Sequence, residues 1–379
     1  MRPIQLLLAL LAISTVVGFV VTQSTIGIYE STGLIRGWDF QQFYLAGKFV
    51  AQGREADLYS MDEFQAAQRA LLPVDDQNIP FVPLYPPMIA ILVAPLARLS
   101  YLPALLLWWG VGVSSYVGAC WLLLKSVRRR YRSIAILAMC GFFPLFVALR
   151  AGQLTPLLLL VAVVGLRYRN GLVLSLLVLK PQFACGMLAY FLVRRQWKLC
   201  GTMVLGCLAQ LAMVSVTLGP QVLIDYLSFA RIYAHHSQMY SFPDGWVHSI
   251  SGMTGPLVHI VVVALLAVYL GTVRRLPWAM ESALATCFML LATPHLLLYD
   301  LAFLAIPVAL LLRYNWKLSV SLIAASSAVA LPIYAATNVS LVPFLLIYLC
   351  VGLTWRRALN QQPSATSLKL TRTFQLKPE

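Results

Sequence analysis

A chain of 379 residues that is 60% apolar and only 11% charged, with a mean hydropathy of +0.80, cannot hide its apolar surface in a water-soluble core. Most of that surface must face lipid. The net charge of +15 would suit a nucleic-acid partner, but its distribution argues against one. Twenty of the 28 Lys and Arg lie at Arg2, 125–132, 167–169, 194–198, 274–275, 313–317, 356–357 and in the tail, accompanied only by Glu281 and Glu379. The other segments carry eight basic residues and eleven acids. Lys/Arg excess marks the cytoplasmic side, so the charge is a topology signal.

With both termini cytoplasmic, this pattern predicts an all-α polytopic membrane protein. Its spans fall at 5–22, 103–125, 133–149, 154–167, 171–180, 182–194, 199–218, 256–273, 278–293, 300–313, 317–335 and 340–355, twelve in all. The run from Leu6 to Val21 reads as a retained helix, because no small-residue cleavage site follows it and many apolar runs do. Several spans fall short of the ~20 residues of a full crossing. Such broken elements are tolerated at membrane depth where they meet protein or a water-filled cavity. Residues 1–357 form one transmembrane domain. Within it lie a first outer segment, 23–102, and a second, 219–255, which reads as an interfacial helix followed by a loop. The apolar run 88–97 is too short to span and is expected in the outer interface. Residues 358–379 are polar and expected to be a disordered cytoplasmic tail. The seven cysteines all sit in apolar runs without metal-ligand spacing and read as packing residues. No internal repeat is visible, which speaks against an inverted-repeat transporter.

Ionisable groups near membrane depth default to functional hypotheses, and here they converge on the outer face. Asp39 follows Trp38 in "GWDFQQFY". Arg150, Gln153 and Thr155 occupy the turn "LRAGQLTP". Lys180 and Gln182 flank Pro181 in "LKPQF". His295, Tyr299 and Asp300 belong to "TPHLLLYD". Each also has a bland reading. Arg150 and Lys180 can snorkel to headgroups, Asp39 can cap the helix that follows, and Asp300 can pair with Lys180 or Arg150. Pro181 and Pro294 can be plain helix stops, with Gln182 and His295 meeting freed backbone groups. His235 and His236 are further candidates in the second outer segment, or simply interfacial residues. No HxxxH or HExxH spacing supports a metal at His295, Asp300 and Asp39. Together the groups suit transfer from an anionic lipid carrier. A carboxylate takes a proton from an attacking hydroxyl, and Arg150 and Lys180 hold the departing phosphate. Trp38, Phe40, Tyr85 and Trp246 offer flat faces to a sugar.

Five stretches in order, "GWDFQQFYLAGKFVAQGREADLY", "LYPPMIAILVAPLARL", "AGQLTPLLL", "LVLKPQ" and "TPHLLLYDLAFL", span residues 37–304. They resemble the family 87 glycosyltransferases, a branch of the GT-C membrane enzymes that includes polyprenol-phosphate-mannose-dependent mannosyltransferases. The resemblance implies a GT-C-type fold with interfacial helices in the first outer loop. It implies a polyprenyl-phosphate-sugar donor, mannose as the favoured sugar, and an inverting single displacement without nucleotide sugar. It makes Asp39 the general base and places His295, Asp300, Lys180 and Gln153 at the active cavity. Many GT-C enzymes carry paired acids in the first loop. Here Phe40 and Gln41 follow Asp39, so a metal-dependent two-carboxylate mechanism is disfavoured and no metal or other cofactor is expected.

The expected protein is therefore a cytoplasmic-membrane enzyme with its active site on the outer face. It would move a sugar from a membrane-embedded donor to a hydroxyl of a lipid or glycan acceptor. Asp39 and His295 are the catalytic candidates. Lys180, Arg150, Gln153, Gln182, Tyr85, Tyr299, Asp300, Trp38, His235 and His236 are the binding candidates. The competing readings are a flippase for a lipid-linked sugar and a catalytically silent lipid-binding subunit.

Overall fold

The computed structural model describes residues 2–71, 83–125, 127, 129–236, 249–311 and 340–360. Among them the regular elements are all helices, and the one β feature is an isolated antiparallel bridge between Tyr29 and Ile35. Helix α1 (Arg2–Thr22) leads into a group of short helices, α2 (Phe40–Ala51), α3 (Met61–Leu71) and α4 (Met88–Val93). Then follow α5 (Tyr101–Leu124), α6 (Arg132–Cys140), α7 (Phe143–Ala151), α8 (Thr155–Tyr168), α9 (Gly171–Leu174), α10 (Pro181–Val193) and α11 (Trp197–Leu218). Helices α12 (Gln221–His236), α13 (Ile250–Thr254), α14 (Pro256–Thr272), α15 (Trp278–Ala292), α16 (Ala305–Leu311) and α17 (Val342–Asn360) complete the set.

Three helical stretches, Tyr101–Leu124, Arg132–Ala151 and Trp197–Leu218, are long and apolar enough to cross a membrane. At 24 residues, α5 reaches about 36 Å, more than the ~30 Å hydrocarbon core. Leu106, Leu107, Val111, Val113, Val117 and Trp121 stand exposed along it. An outward face this apolar is stable only against lipid. This is a membrane protein.

The shorter expected spans are interrupted for local reasons. The interval 133–149 breaks between α6 and α7 at Gly141 and Phe142, because Pro144, in the first turn of α7, supplies no backbone N–H to continue the ladder. The interval 171–180 is one helical turn, α9, followed by a 3₁₀ segment, Ser175–Leu179. The interval from 300 begins as a 3₁₀ segment, Leu298–Leu304, whose side chains are all buried. Irregular backbone of this kind can sit at depth because protein, not lipid, surrounds it. The expected span 317–335 lies outside the described residues. Helix α17 runs on through 358–360, where the tail was expected to begin.

The run 88–97 forms α4 and a 3₁₀ turn, Leu96–Arg98, packed through buried Met88, Ile89, Ala90 and Val93. The segment 219–255 opens with α12. Tyr226 and Phe229 on it place their rings 5.5 and 6.1 Å from that of Tyr59, so α12 leans on the segment 23–102.

At the end assigned to the cytoplasm, Arg194 and Glu281 are not merely topology charges. Arg194 donates to the Leu270 and Val273 carbonyls (2.7 and 2.6 Å) and the Arg274 carbonyl (3.1 Å), and bonds Glu281 at 2.6 Å. A cation thus closes the C-terminal carbonyls of α14. Tyr190 Oη donates to the same carboxylate at 2.6 Å. Both charged side chains are buried, and removing one leaves the other uncompensated. Glu281→Ala should therefore destabilise the fold by about 3–5 kcal/mol, read as a lowered melting temperature in detergent.

Candidate active site

Asp39 is held by backbone before its side chain acts. Helix α7 ends on Gly152 in the left-handed conformation (φ +69°). The 37–39 segment lies against that end, with Gly37 N donating to the Arg150 carbonyl (3.2 Å) and Asp39 N to the Ala151 carbonyl (2.9 Å). A Cβ on Gly152 would come within 2.6 Å of Phe40 Cβ, so both its dihedral and the close approach require glycine. Helix α5 fastens the same junction. Trp108 Nε1 donates to the Gly152 carbonyl at 2.8 Å, and Tyr101 Oη to the Arg36 carbonyl at 2.7 Å. The fully buried Phe40 ring stacks on Trp108 at 5.6 Å.

Asp39 precedes α2, as expected of an N-cap, but its side chain makes no capping bond and its backbone is already helical (φ −79°, ψ −28°). Here the capping expectation is corrected, for the carboxylate turns to Gln153, whose Nε2 donates to Oδ2 at 2.6 Å. Gln153 also bonds Tyr85 Oη at about 3 Å. Asp39 is only 8% exposed. Desolvation pushes its pKa up to about 6, with the Asp300 charge adding to the rise. The Gln153 hydrogen bond, the Lys180 charge and the Tyr299 hydroxyl oppose it without cancelling it.

Facing this group is a buried ion pair. Lys180 Nζ lies 2.6 Å from Asp300 Oδ1, with side-chain exposures of 3% and 1%. Thr155 Oγ1 donates to the same carboxylate oxygen at 3.1 Å and receives Lys180 Nζ at 3.5 Å. The local geometry follows from proline. Residues before Pro avoid the helical region, so Lys180 is extended (φ −126°, ψ 91°) while Pro181 opens α10. Asp300 Oδ2 accepts from Leu297 N at 3.4 Å at the start of the 3₁₀ segment. The buried Tyr299 ring lies 4.6 Å from Lys180 Nζ.

Six candidates, Asp39, Gln153, Tyr85, Lys180, Tyr299 and Asp300, are thereby gathered at one place. His295 stands at the rim: its ring has open surface, yet protein surrounds it closely enough that desolvation lowers its pKa, despite the Asp300 charge. The imidazole is therefore neutral at pH 7. Gln182, on the first turn of α10, is half-buried and its side chain has no hydrogen bond among the described residues. His235 and His236 fall on the last turn of α12, and Trp246 lies outside the described residues.

Arg150 is engaged elsewhere. Its guanidinium forms an ion pair with buried Glu30, with Nε 2.9 Å from both carboxylate oxygens, and donates to Thr32 Oγ1 at 2.9 Å. It also lies 5.3 Å from the Trp38 ring. Glu30 went unnoticed in the sequence because it sits 120 residues from its partner in a stretch without pattern. An acid between the apolar residues Ile28, Tyr29, Leu34 and Ile35 was the available signal.

The sequence profile described as glycosyltransferase family 87 matches residues 84–294, more than half of the chain. The chain belongs to glycosyltransferase family 87. The matched region of this family 87 member contains Tyr85, Arg150, Gln153, Lys180 and Gln182, and stops just short of His295. Asp39, on the N-terminal side, is joined to it by the Gln153 hydrogen bond. No curated protein and no solved structure matches the chain.

Because Lys180 and Asp300 are buried together, losing one should cost more than losing both. Lys180→Met alone should destabilise by about 3 kcal/mol or more, whereas Lys180→Met with Asp300→Leu should regain much of that loss. Melting temperatures of the single and double variants in detergent provide the check.

Proposed function

We propose that this family 87 glycosyltransferase takes its sugar from a polyprenyl-phosphate donor and passes it to a hydroxyl of a lipid or glycan acceptor. On this reading it has a GT-C-type fold, its cavity opens on the outer face of the cytoplasmic membrane, and mannose is the favoured sugar. The observation that carries the reading is a buried carboxylate, Asp39, partnered by an amide and poised near pKa 6, next to a buried ammonium. Family membership supports transfer over flipping.

Asp39 accepts the proton of the acceptor hydroxyl as its oxygen attacks the anomeric carbon. The bond from that carbon to the phosphate oxygen breaks, its electron pair leaves with the polyprenyl phosphate, and the configuration inverts. A base with a pKa near the working pH combines a large ionised fraction with useful basicity. Of the three N–H donors of Lys180, one meets Asp300 and one Thr155. The third is directed to the donor phosphate, with neutral His295 beside it. Arg150, committed to Glu30, braces the loop that presents Asp39 and Trp38.

Purified protein in nanodiscs, given radiolabelled polyprenyl-phosphate mannose and membrane-lipid acceptors, should form a glycolipid product. Asp39→Asn should reduce transfer by about 10²–10⁴-fold with its melting temperature retained. Near wild-type transfer by that variant would remove Asp39 as the base. The pH profile supplies a separate check. The active base is the ionised carboxylate, so the rate should hold above pH 6 and fall about tenfold per unit well below it.

A further inference from the structure

Beside the Asp39 cluster lies a cleft that the reaction as described leaves unused. Gln42, Phe43, Leu58, Tyr59, Tyr85 and Pro86 are among its walls, and it has about 10 Å³ of open volume, room for a single water-sized group. Gln42 is buried at 7% exposure, yet its Oε1 has no hydrogen-bond partner among the described residues. Buried amide oxygens are rarely left unmet. The neighbouring hydroxyls are already occupied: Tyr59 Oη donates to the Tyr85 carbonyl at 2.8 Å, and Tyr85 Oη bonds Gln153.

Position connects this cleft to the base. Because the Asp39 backbone is already helical, the phase of α2 extends back to it, and Gln42 N bonds the Asp39 carbonyl at 3.2 Å. Residues three apart on a helix share a face, so Asp39 and Gln42 point to the same side, one turn apart. Tyr85 joins the two places, its ring walling the cleft while its hydroxyl holds Gln153 against Asp39.

We propose that Gln42 Oε1 accepts a hydrogen bond from one hydroxyl of the sugar substrate, in a cleft sized for that group, one helical turn from the base. This assignment rests on the glycosyltransfer reading and adds to it a determinant of sugar specificity. Replacing an amide that has an unmet buried atom by an apolar side chain of similar size does little harm to a fold. A glutamine kept for structure would behave otherwise.

The test uses full-length protein in nanodiscs, with binding of methyl α-mannoside and its four monodeoxy analogues followed by ligand-observed NMR titration. Wild type should bind one monodeoxy analogue about tenfold more weakly than the parent sugar, the loss of one hydrogen bond. Gln42→Leu and Gln42→Met should bind the parent as weakly as that analogue, lose discrimination at that position alone, and melt at or above the wild-type temperature. Unchanged discrimination in both variants, or no sugar-selective binding by wild type, would overturn the proposal. A lowered melting temperature in both would do the same. The transfer assay separates the two readings. Product formation with unaltered Gln42 variants defeats only the subsite, and Gln42-dependent binding without any transfer defeats only the assigned activity.

Discussion

A carboxylate withdrawn from water must be answered by another group, and the arrangement of this cavity follows from how three of them are answered. Glu30 is met by Arg150 and Asp300 by Lys180, whereas Asp39 touches an amide. Each of the two paired acids has a cation within hydrogen-bonding reach, which offsets part of the cost of its burial. Asp39 has no cation in contact among the described residues, so burial raises its proton affinity. One chemical type has been placed in three environments. Two of the results are braces, and the third is a group able to exchange a proton near neutrality.

The fold supplies these environments by interrupting helices rather than lengthening them. Gln153 follows the glycine end of α7, Lys180 stands before the proline that opens α10, and Asp300 lies in a 3₁₀ segment beyond α15. Each interruption frees backbone groups that lipid could not satisfy. The polar side chains gathered there, with the backbone contacts at 37–39, meet part of that need. The same breaks that keep these helices short therefore concentrate polarity at one place. The outward faces of α5 and α11 stay apolar and regular.

Much of this was legible in the sequence because proline and glycine mark where helices stop, and the unusual polar residues sit beside those marks. Gln153 and Lys180 adjoin such marks, and Asp300 showed as an acid at the edge of an apolar run. The ion pairs were harder to see. Glu30 and Arg150 are joined across 120 residues by a loop with no periodicity. Arg194 was hidden inside a basic run whose topological meaning was sufficient without it, and Glu281 lies 87 residues away in an apolar run. The capping role expected for Asp39 fails because capping and the Gln153 contact compete for one carboxylate, and the short charge-assisted bond at 2.6 Å prevails. The 3₁₀ character of 298–304 has no apolar pattern to announce it, since residues buried on every side look alike in any helix.

The helical phase that α2 carries back to Asp39 has a geometric consequence. Two groups on consecutive turns of one rigid helix keep their Cβ atoms about 5–6 Å apart whatever the surrounding loops do. That separation is comparable with the breadth of one pyranose ring. The helix backbone then acts as a ruler. It fixes how far from the proton-accepting oxygen a sugar can present its next polar corner, and inserting a single residue between the two positions would turn that mark through a quarter of a circle.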